Sequence, residues 1–160
     1  MKPSERVQAA LDAMGLGIHV VEFTVSTATA PEAAAAAGCE LGAIVKSLLF
    51  LIDGQPVLAL VAGDRMADHK QLAARFGVGK KKVKLADAET VLRVTGYEVG
   101  GVPPVGHNTQ LPTLVDESLS RFEIVWAAAG THNAVFPILY SRLIEITGGR
   151  AAVFTEESRK

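Results

Sequence analysis

The residue best placed to do chemistry is Lys46, a lone cation in the run from Ile44 to Ile52 that is otherwise apolar apart from its neighbour Ser47. A lysine in such a strand either snorkels, carrying its ammonium to water along its own stem, or faces a polar cavity. In the second case it is a compact cation able to hold a phosphate or polarise a carbonyl. Ser47 points to the other face of a regular strand, so the two side chains need not share a task.

A second feature is the glycine- and proline-dense stretch from Thr95 to His107, with Gly100, Gly101, Val102, Pro103 and Pro104 at its centre. The glycines let a ligand approach the main chain, and the prolines stiffen the segment after them. The same composition also suits a rigid turn with no ligand. A loop of similar character, Ala127 to Asn133, places Gly130, Thr131 and His132 after three alanines, and its backbone can line the opposite side of a cavity. Two such loops and a buried-looking lysine predict a small-molecule pocket. His107 and His132 lie in or beside the loops and are candidates for a general acid or base; each can equally bond to its own loop.

Other chemistries are disfavoured. No two of His19, His69, His107 and His132 have the spacing of a helical zinc site, and Cys39 is the only cysteine, so neither a metal nor an internal disulfide is expected. No phosphate-binding loop, dinucleotide fingerprint or serine-hydrolase elbow is present, and no cofactor is expected. Lys80, Lys81, Lys82 and Lys84 form the strongest basic cluster. It is a solvated surface or a phosphate-backbone contact; no aromatic residue interleaves with it to stack bases.

The elements that must position these residues fit a chain of 160 residues, 49% hydrophobic and 21% charged, read as one α+β domain over residues 1–160. Sixteen basic and seventeen acidic side chains leave a net charge of −1, so any nucleic-acid contact must be local. The N-terminus lacks the apolar core of a signal peptide, and the aliphatic runs are too short to span a bilayer, so a cytoplasmic protein without a membrane partner is expected.

Ser4 is a candidate cap for a first helix through Val7, Leu11 and Met14, and Ile18 to Phe23 reads as a strand. Pro31, the alanine run and Gly38 delimit a second helix. Ile44 to Ile52 and Val57 to Val61, joined by Asp53-Gly54, are the clearest hairpin. Helices follow at Asp68 to Phe76 and from Asp87 to Gly96, then short strands at Leu114 to Asp116, Phe122 to Trp126 and Val135-Phe136. A last helix, Ser141 to Thr147, precedes a final strand, Ala151 to Phe154. The expected sheet is mixed, mostly antiparallel, barrel-like and flanked by helices.

In order and spacing, Ile44-Val45-Lys46-Ser47-Leu48, Gly63-Asp64, Thr95-Gly96-Tyr97, Gly100 to His107, Asp116-Glu117-Ser118-Leu119 and Ala129-Gly130 resemble the YbaK/prolyl-tRNA-synthetase-associated editing domains over nearly the whole chain. The resemblance implies hydrolysis of mischarged aminoacyl-tRNA, chiefly tRNA for proline carrying a small amino acid. It implies that Lys46 is the essential lysine, near the terminal adenosine or the ester, and that Gly100 to Pro104 position the aminoacyl ester. It also implies aminoacyl-tRNA, bound by its acceptor end, and prolyl-tRNA synthetase as partners. The mechanism implied is substrate-assisted, a ribose hydroxyl helping to activate water.

The cysteine-editing branch carries Ser-Ala-Gly-x-Arg-Gly where this chain reads Ala128-Ala129-Gly130-Thr131-His132-Asn133. That departure favours alanine or 2-aminobutyrate over cysteine. A non-catalytic module that binds aminoacyl-tRNA or a synthetase is the alternative.

Overall fold

The central hairpin forms where an apolar run meets a tight-turn dipeptide. In the computed structural model, which describes residues 1–158, strands β2 (Ile44–Ile52) and β3 (Gln55–Ala62) pair antiparallel from Val45↔Ala62 to Ile52↔Gln55. Asp53 and Gly54 turn the chain with positive φ of 50° and 81°, as such a two-residue turn requires. Both strands are largely buried, and the rest of the sheet grows from them.

The remaining strands are β1 (Val21–Glu22), β4 (Arg65–Ala67), β5 (Val83–Leu85), β6 (Thr113–Asp116), β7 (Ile124–Ala128), β8 (Ala134–Leu139), β9 (Arg150–Ala152) and β10 (Thr155–Glu157). The main sheet runs β1-β8-β7-β2-β3-β6-β9, with β5 also pairing β2, and β10 pairs β4 separately. The β2·β7, β3·β6 and β6·β9 pairings are parallel and the others antiparallel. The α+β class and the mixed, mostly antiparallel sheet are as expected. The sheet is nevertheless open: β1 and β9 are its edges and do not pair with each other, so it is not closed into a barrel.

Helices cover both faces. Val7 and Leu11 of α1 (Pro3–Ala13), Val91 of α4 (Ala88–Thr95) and Leu143 of α5 (Tyr140–Thr147) join one core cluster with Val45, Leu49, Leu58 and Leu60. Leu72 and Ala73 of α3 (His69–Phe76) pack with Phe50, Ile52, Val57 and Phe154, and Ala33 and Ala34 of α2 (Ala30–Ala37) pack with Ile44 and Val135. Residues 45, 49 and 44, 50, 52 of β2 thus divide between two faces, as strand alternation demands. Asp68 and Asp87 cap α3 and α4, accepting from the Lys70 and Thr90 amides at 2.9 and 2.8 Å.

Five sequence expectations change. The strand expected at Phe122 to Trp126 runs instead over Ile124–Ala128, because Phe122 closes the 3-10 turn before it. Ser4 lies inside α1 rather than capping it: Pro3 takes the first helical turn, Lys2 is the cap residue, and the Lys2 amide donates to Glu5 Oε1 at 3.1 Å. The segment from Ile18 to Phe23 yields only the two-residue β1, because the Gln8 side chain takes the place of a ladder partner, donating to Ile18 O at 2.9 Å and accepting from the Val20 amide at 2.8 Å. The strand at Val135-Phe136 extends over 134–139. The C-terminal strand divides into β9 and β10, since the chain leaves the main sheet at Val153 and inserts the fully buried Phe154 beneath α3, where the Asp68 amide donates to its carbonyl at 2.8 Å.

Candidate active site

The site lies where the sheet parts. On the edge of β2 away from β3, parallel pairing with β7 covers only Ile44↔Trp126 and Val45↔Ala127, and antiparallel pairing with β5 begins only at Phe50↔Leu85. Between these two neighbours, the stretch from Lys46 to Leu48 has no strand partner on that edge among the described residues. A cleft of about 370 Å³ opens there, lined by Ile44 to Leu48, Gly63, Trp126, Ala128 and Val135, and closed over by Thr27 to Pro31 with Ala33 and by Val99, Gly100 and Val102.

Lys46 lines this cleft half-buried, its Nζ donating to Arg65 O at 2.6 Å. Burial pushes its pKa below the ordinary lysine value, while Asp116 and Asp64 pull the other way. The half-buried ammonium has no direct ion pair among the described residues: one donor is used on a carbonyl and others are left for a ligand.

Around it stands a rigid polar frame. Asp116 is 1% exposed and accepts from the Ala62 amide at 3.1 Å, the Ser118 amide at 3.0 Å and Thr155 Oγ1 at 3.1 Å, joining β3, β6 and β10. Asp64 receives a bidentate Arg121 guanidinium at 2.9 and 2.8 Å, which holds its carboxyl below the usual range. A Cβ at Gly42 would lie 2.9 Å from Asp64 Oδ2 and 3.0 Å from Arg121, so that pair needs a glycine there.

The two glycine loops touch each other rather than facing across the cavity. The Gly130 amide donates to Gly101 O at 2.8 Å, and a Cβ on Gly101 would lie 3.0 Å from Gly130 C and O. Gly100, with φ of 91°, and Val102 line the cleft, whereas Gly101 is spent on the loop contact. Pro103 and Pro104 are buried behind it, where Pro103 O contacts His107 Nε2 at 2.6 Å. A carbonyl only accepts, so that nitrogen carries the hydrogen; burial pushes the imidazole's pKa below the ordinary histidine value despite this bond. Tyr97 Oη donates to Gly106 O at 2.9 Å and completes the brace. His107 thus sits outside the cleft lining, clipping the loop that forms it.

His132 stands at the rim. Its Nε2 lies 3.0 Å from Val99 O and 3.7 Å from Glu98 Oε2, and its ring lies beside Gly100. Its carbonyl accepts from the Thr27 amide at 2.6 Å, so the loop at 130–133 and the strap at 27–31 are held together. Thr131 bonds to Asn133 at 2.8 Å, away from the lining. Lys80, Lys81 and Lys82 form an exposed 3-10 turn and Lys84 lies on β5, paired with Leu51 at the far end of β2.

Two lining residues carried little sequence signal. Trp126, the only tryptophan of the chain, forms a wall of the cleft from β7, and its rarity was the only cue. Thr27, in a polar segment that reads as a connection, is 4% exposed and contributes to the closing strap.

The open mixed sheet thus parts to leave a half-buried lysine in a cleft covered by the strap at 27–31 and the glycine loop at 99–102, and similarity to known proteins tells to which class such a chain belongs. Residues 24–146 match the family model described as the aminoacyl-tRNA editing domain, and the chain belongs to that family, the aminoacyl-tRNA hydrolases that edit mischarged tRNA. It is 36% identical over 129 residues to the "Uncharacterized protein YwhH" of Bacillus subtilis (strain 168), covering 80% of each chain. It is 29% identical over 128 residues to the "Putative Cys-tRNA(Pro)/Cys-tRNA(Cys) deacylase EbsC" of Enterococcus faecalis (strain ATCC 700802 / V583), covering 79% of this chain and 77% of the other. A crystal structure described as "a putative trans-editing enzyme for prolyl tRNA synthetase" superposes with a TM-score of 0.90 at 42% identity over 98% of both chains.

Proposed function

We infer that this chain is a trans-editing deacylase that hydrolyses the ester of tRNA(Pro) carrying alanine or another small amino acid such as 2-aminobutyrate, acting in the cytoplasm on the acceptor end. The observation that carries the reading is Lys46, held by Arg65 O in a cleft whose other lining includes no histidine, cysteine or carboxylate. A site with a cation and main-chain donors, whose Ser47 and Thr27 hydroxyls have no histidine or carboxylate beside them in the lining to activate them as nucleophiles, suits an ester whose own ribose hydroxyl helps to activate water. The tetrahedral intermediate then needs donors aimed at its oxyanion, which act most strongly in a desolvated cleft. Ala28, Ala30, Ala33, Ala128 and Gly100 give the walls an apolar character that suits an aliphatic rather than a charged side chain. A pocket discriminates one methylene by only about 1–3 kcal/mol, so activity across several small amino acids is expected.

Purified protein should release alanine from Ala-tRNA(Pro), and Lys46→Ala should lower kcat/KM by on the order of 100-fold or more, as loss of one oxyanion donor does. Circular dichroism and urea unfolding check that the variant is folded. Unchanged turnover in a folded variant would remove Lys46 from the mechanism. Tight binding of Ala-tRNA(Pro) with no hydrolysis above buffer would make the chain a binding module instead.

A further inference from the structure

The parted sheet leaves one residue's main chain without a role. The Gly63 amide donates to Ile44 O at 2.8 Å, and the hairpin turn closes after Ile52↔Gln55, so the even-numbered residues of β2 bond to β3. The odd-numbered residues turn their N–H and C=O to the opposite edge. There Val45 meets Ala127 of β7, Leu49 O accepts from the Ala86 amide at 2.9 Å, and Leu51 meets Lys84 of β5. Ser47 falls in the gap. Its N–H and C=O face the cleft, and no hydrogen bond to either is found among the described residues.

A second observation also points to a polar occupant. Thr27 Oγ1 and Ser47 Oγ are buried hydroxyls with no protein partner among the described residues, and both residues line this cleft. Buried polar groups are nearly always bonded, and those that are not call for an explanation such as a ligand.

Resting on the deacylase reading, we propose that the aminoacyl group of the substrate adds to the open edge of β2 at Ser47 as a single strand residue would. An amino-acid ester carries an ammonium and a carbonyl on either side of one carbon, the spacing of the N–H and C=O of one residue in an extended chain. The ammonium donates to Ser47 O, and the ester carbonyl accepts from the Ser47 N–H. Edge addition of this kind draws affinity from main-chain bonds and leaves the side chain to be sized by a pocket. The Ser47 N–H then points at the oxygen that becomes negative when water attacks, and it positions the reacting group without taking part in proton transfer. Acylation of the α-nitrogen would remove the charge and set bulk against the strand edge. A prolyl group, with a ring carbon on that nitrogen, meets the same obstruction.

The test compares tRNA(Pro) acylated with alanine, with propionate (no amine) and with N-acetylalanine, each rate divided by its own buffer rate because the α-ammonium itself activates the ester. The alanyl ester should be accelerated at least tenfold more than either of the others. Equal acceleration of the three overturns the Ser47 assignment and leaves the deacylase reading standing; no acceleration of any overturns both. A second measurement isolates the residue: on titrating 15N-labelled protein with 3′-alanylamido-3′-deoxyadenosine, the Ser47 amide resonance should shift and its solvent exchange slow, more than those of Val45 or Leu49. Shifts at Trp126, Val99 and Gly100 with Ser47 unmoved would place the ligand in the cleft but off the strand edge, and would refute the proposal.

Discussion

Lys46 and His107 show two uses of a desolvated base. Lys46 stays in the cleft because Arg65 O anchors its ammonium, whereas His107 gives its one hydrogen to Pro103 O and fixes the shape of the loop above. For His107 the sign of the pH effect follows from its depressed pKa. An unfolded-chain histidine takes up a proton near pH 6.5, while the folded one does so only at lower pH. Stability from this group is therefore complete above about pH 6.5 and is lost as pH falls towards the folded value, by at most about 1.4 kcal/mol per pH unit for one proton. Urea unfolding of wild type and His107→Gln between about pH 7.5 and 5.5 should show the variant less stable at pH 7.5 but with a shallower loss on acidification. Parallel pH slopes would show that His107 does not titrate with folding. Composition and position pointed to this histidine as a possible participant; what they could not show was burial, which turns a loop histidine into a clip.

At the scale of elements, the glycine loop that covers the cleft and the loop at 127–133 behind it act as one unit because glycines let them touch. Gly130 has φ of 94°, and a Cβ there would lie 2.7 Å from Pro3 O at the start of α1, a backbone atom that cannot swing aside. Gly130→Ala should cost more than about 1 kcal/mol and, through the Gly130–Gly101 bond, should also lower kcat/KM. Gly15→Ala is the matched control, since Gly15 has a similar positive φ of 68° but open space around it, so it bears the conformational cost without the collision. Equal losses in stability and activity for the two variants would show that contact with α1 does not matter. The sequence made the hairpin, the capped helices and the glycine loops legible because each rests on local chemistry. The gap in the sheet was not legible, since it depends on β7 and β5 joining β2 at different heights, a matter of long-range register that alternation along β2 does not encode. The cleft itself, and the roles of Trp126 and Thr27 in it, depend on that gap.

Across the whole molecule, a net charge of −1 gives no general attraction to RNA, so the location of the basic cluster decides whether it matters. Lys84 pairs with Leu51, roughly 17 Å along β2 from Lys46 at the usual strand rise, and Lys80, Lys81 and Lys82 form the exposed turn beside it. The weak Lys82–Asp53 contact at 3.9 Å, between exposed side chains, leaves these ammonium groups free for other anions. A tRNA whose terminal ester lies at Lys46 has its neighbouring phosphates within reach of that distance, so the cluster and the cleft would hold one strand at two points. Replacing Lys80, Lys81, Lys82 and Lys84 by serine should raise KM for Ala-tRNA(Pro) severalfold with little change in kcat. It should also flatten the dependence of log KM on log salt by nearly one for each phosphate that is no longer neutralised. A minimal 3′-alanyl-adenosine substrate, too short to reach the turn, should be hydrolysed equally by both proteins. If the quadruple variant keeps the wild-type KM and salt slope on full-length tRNA, the cluster is a solvated surface and the acceptor arm leaves the cleft in another direction.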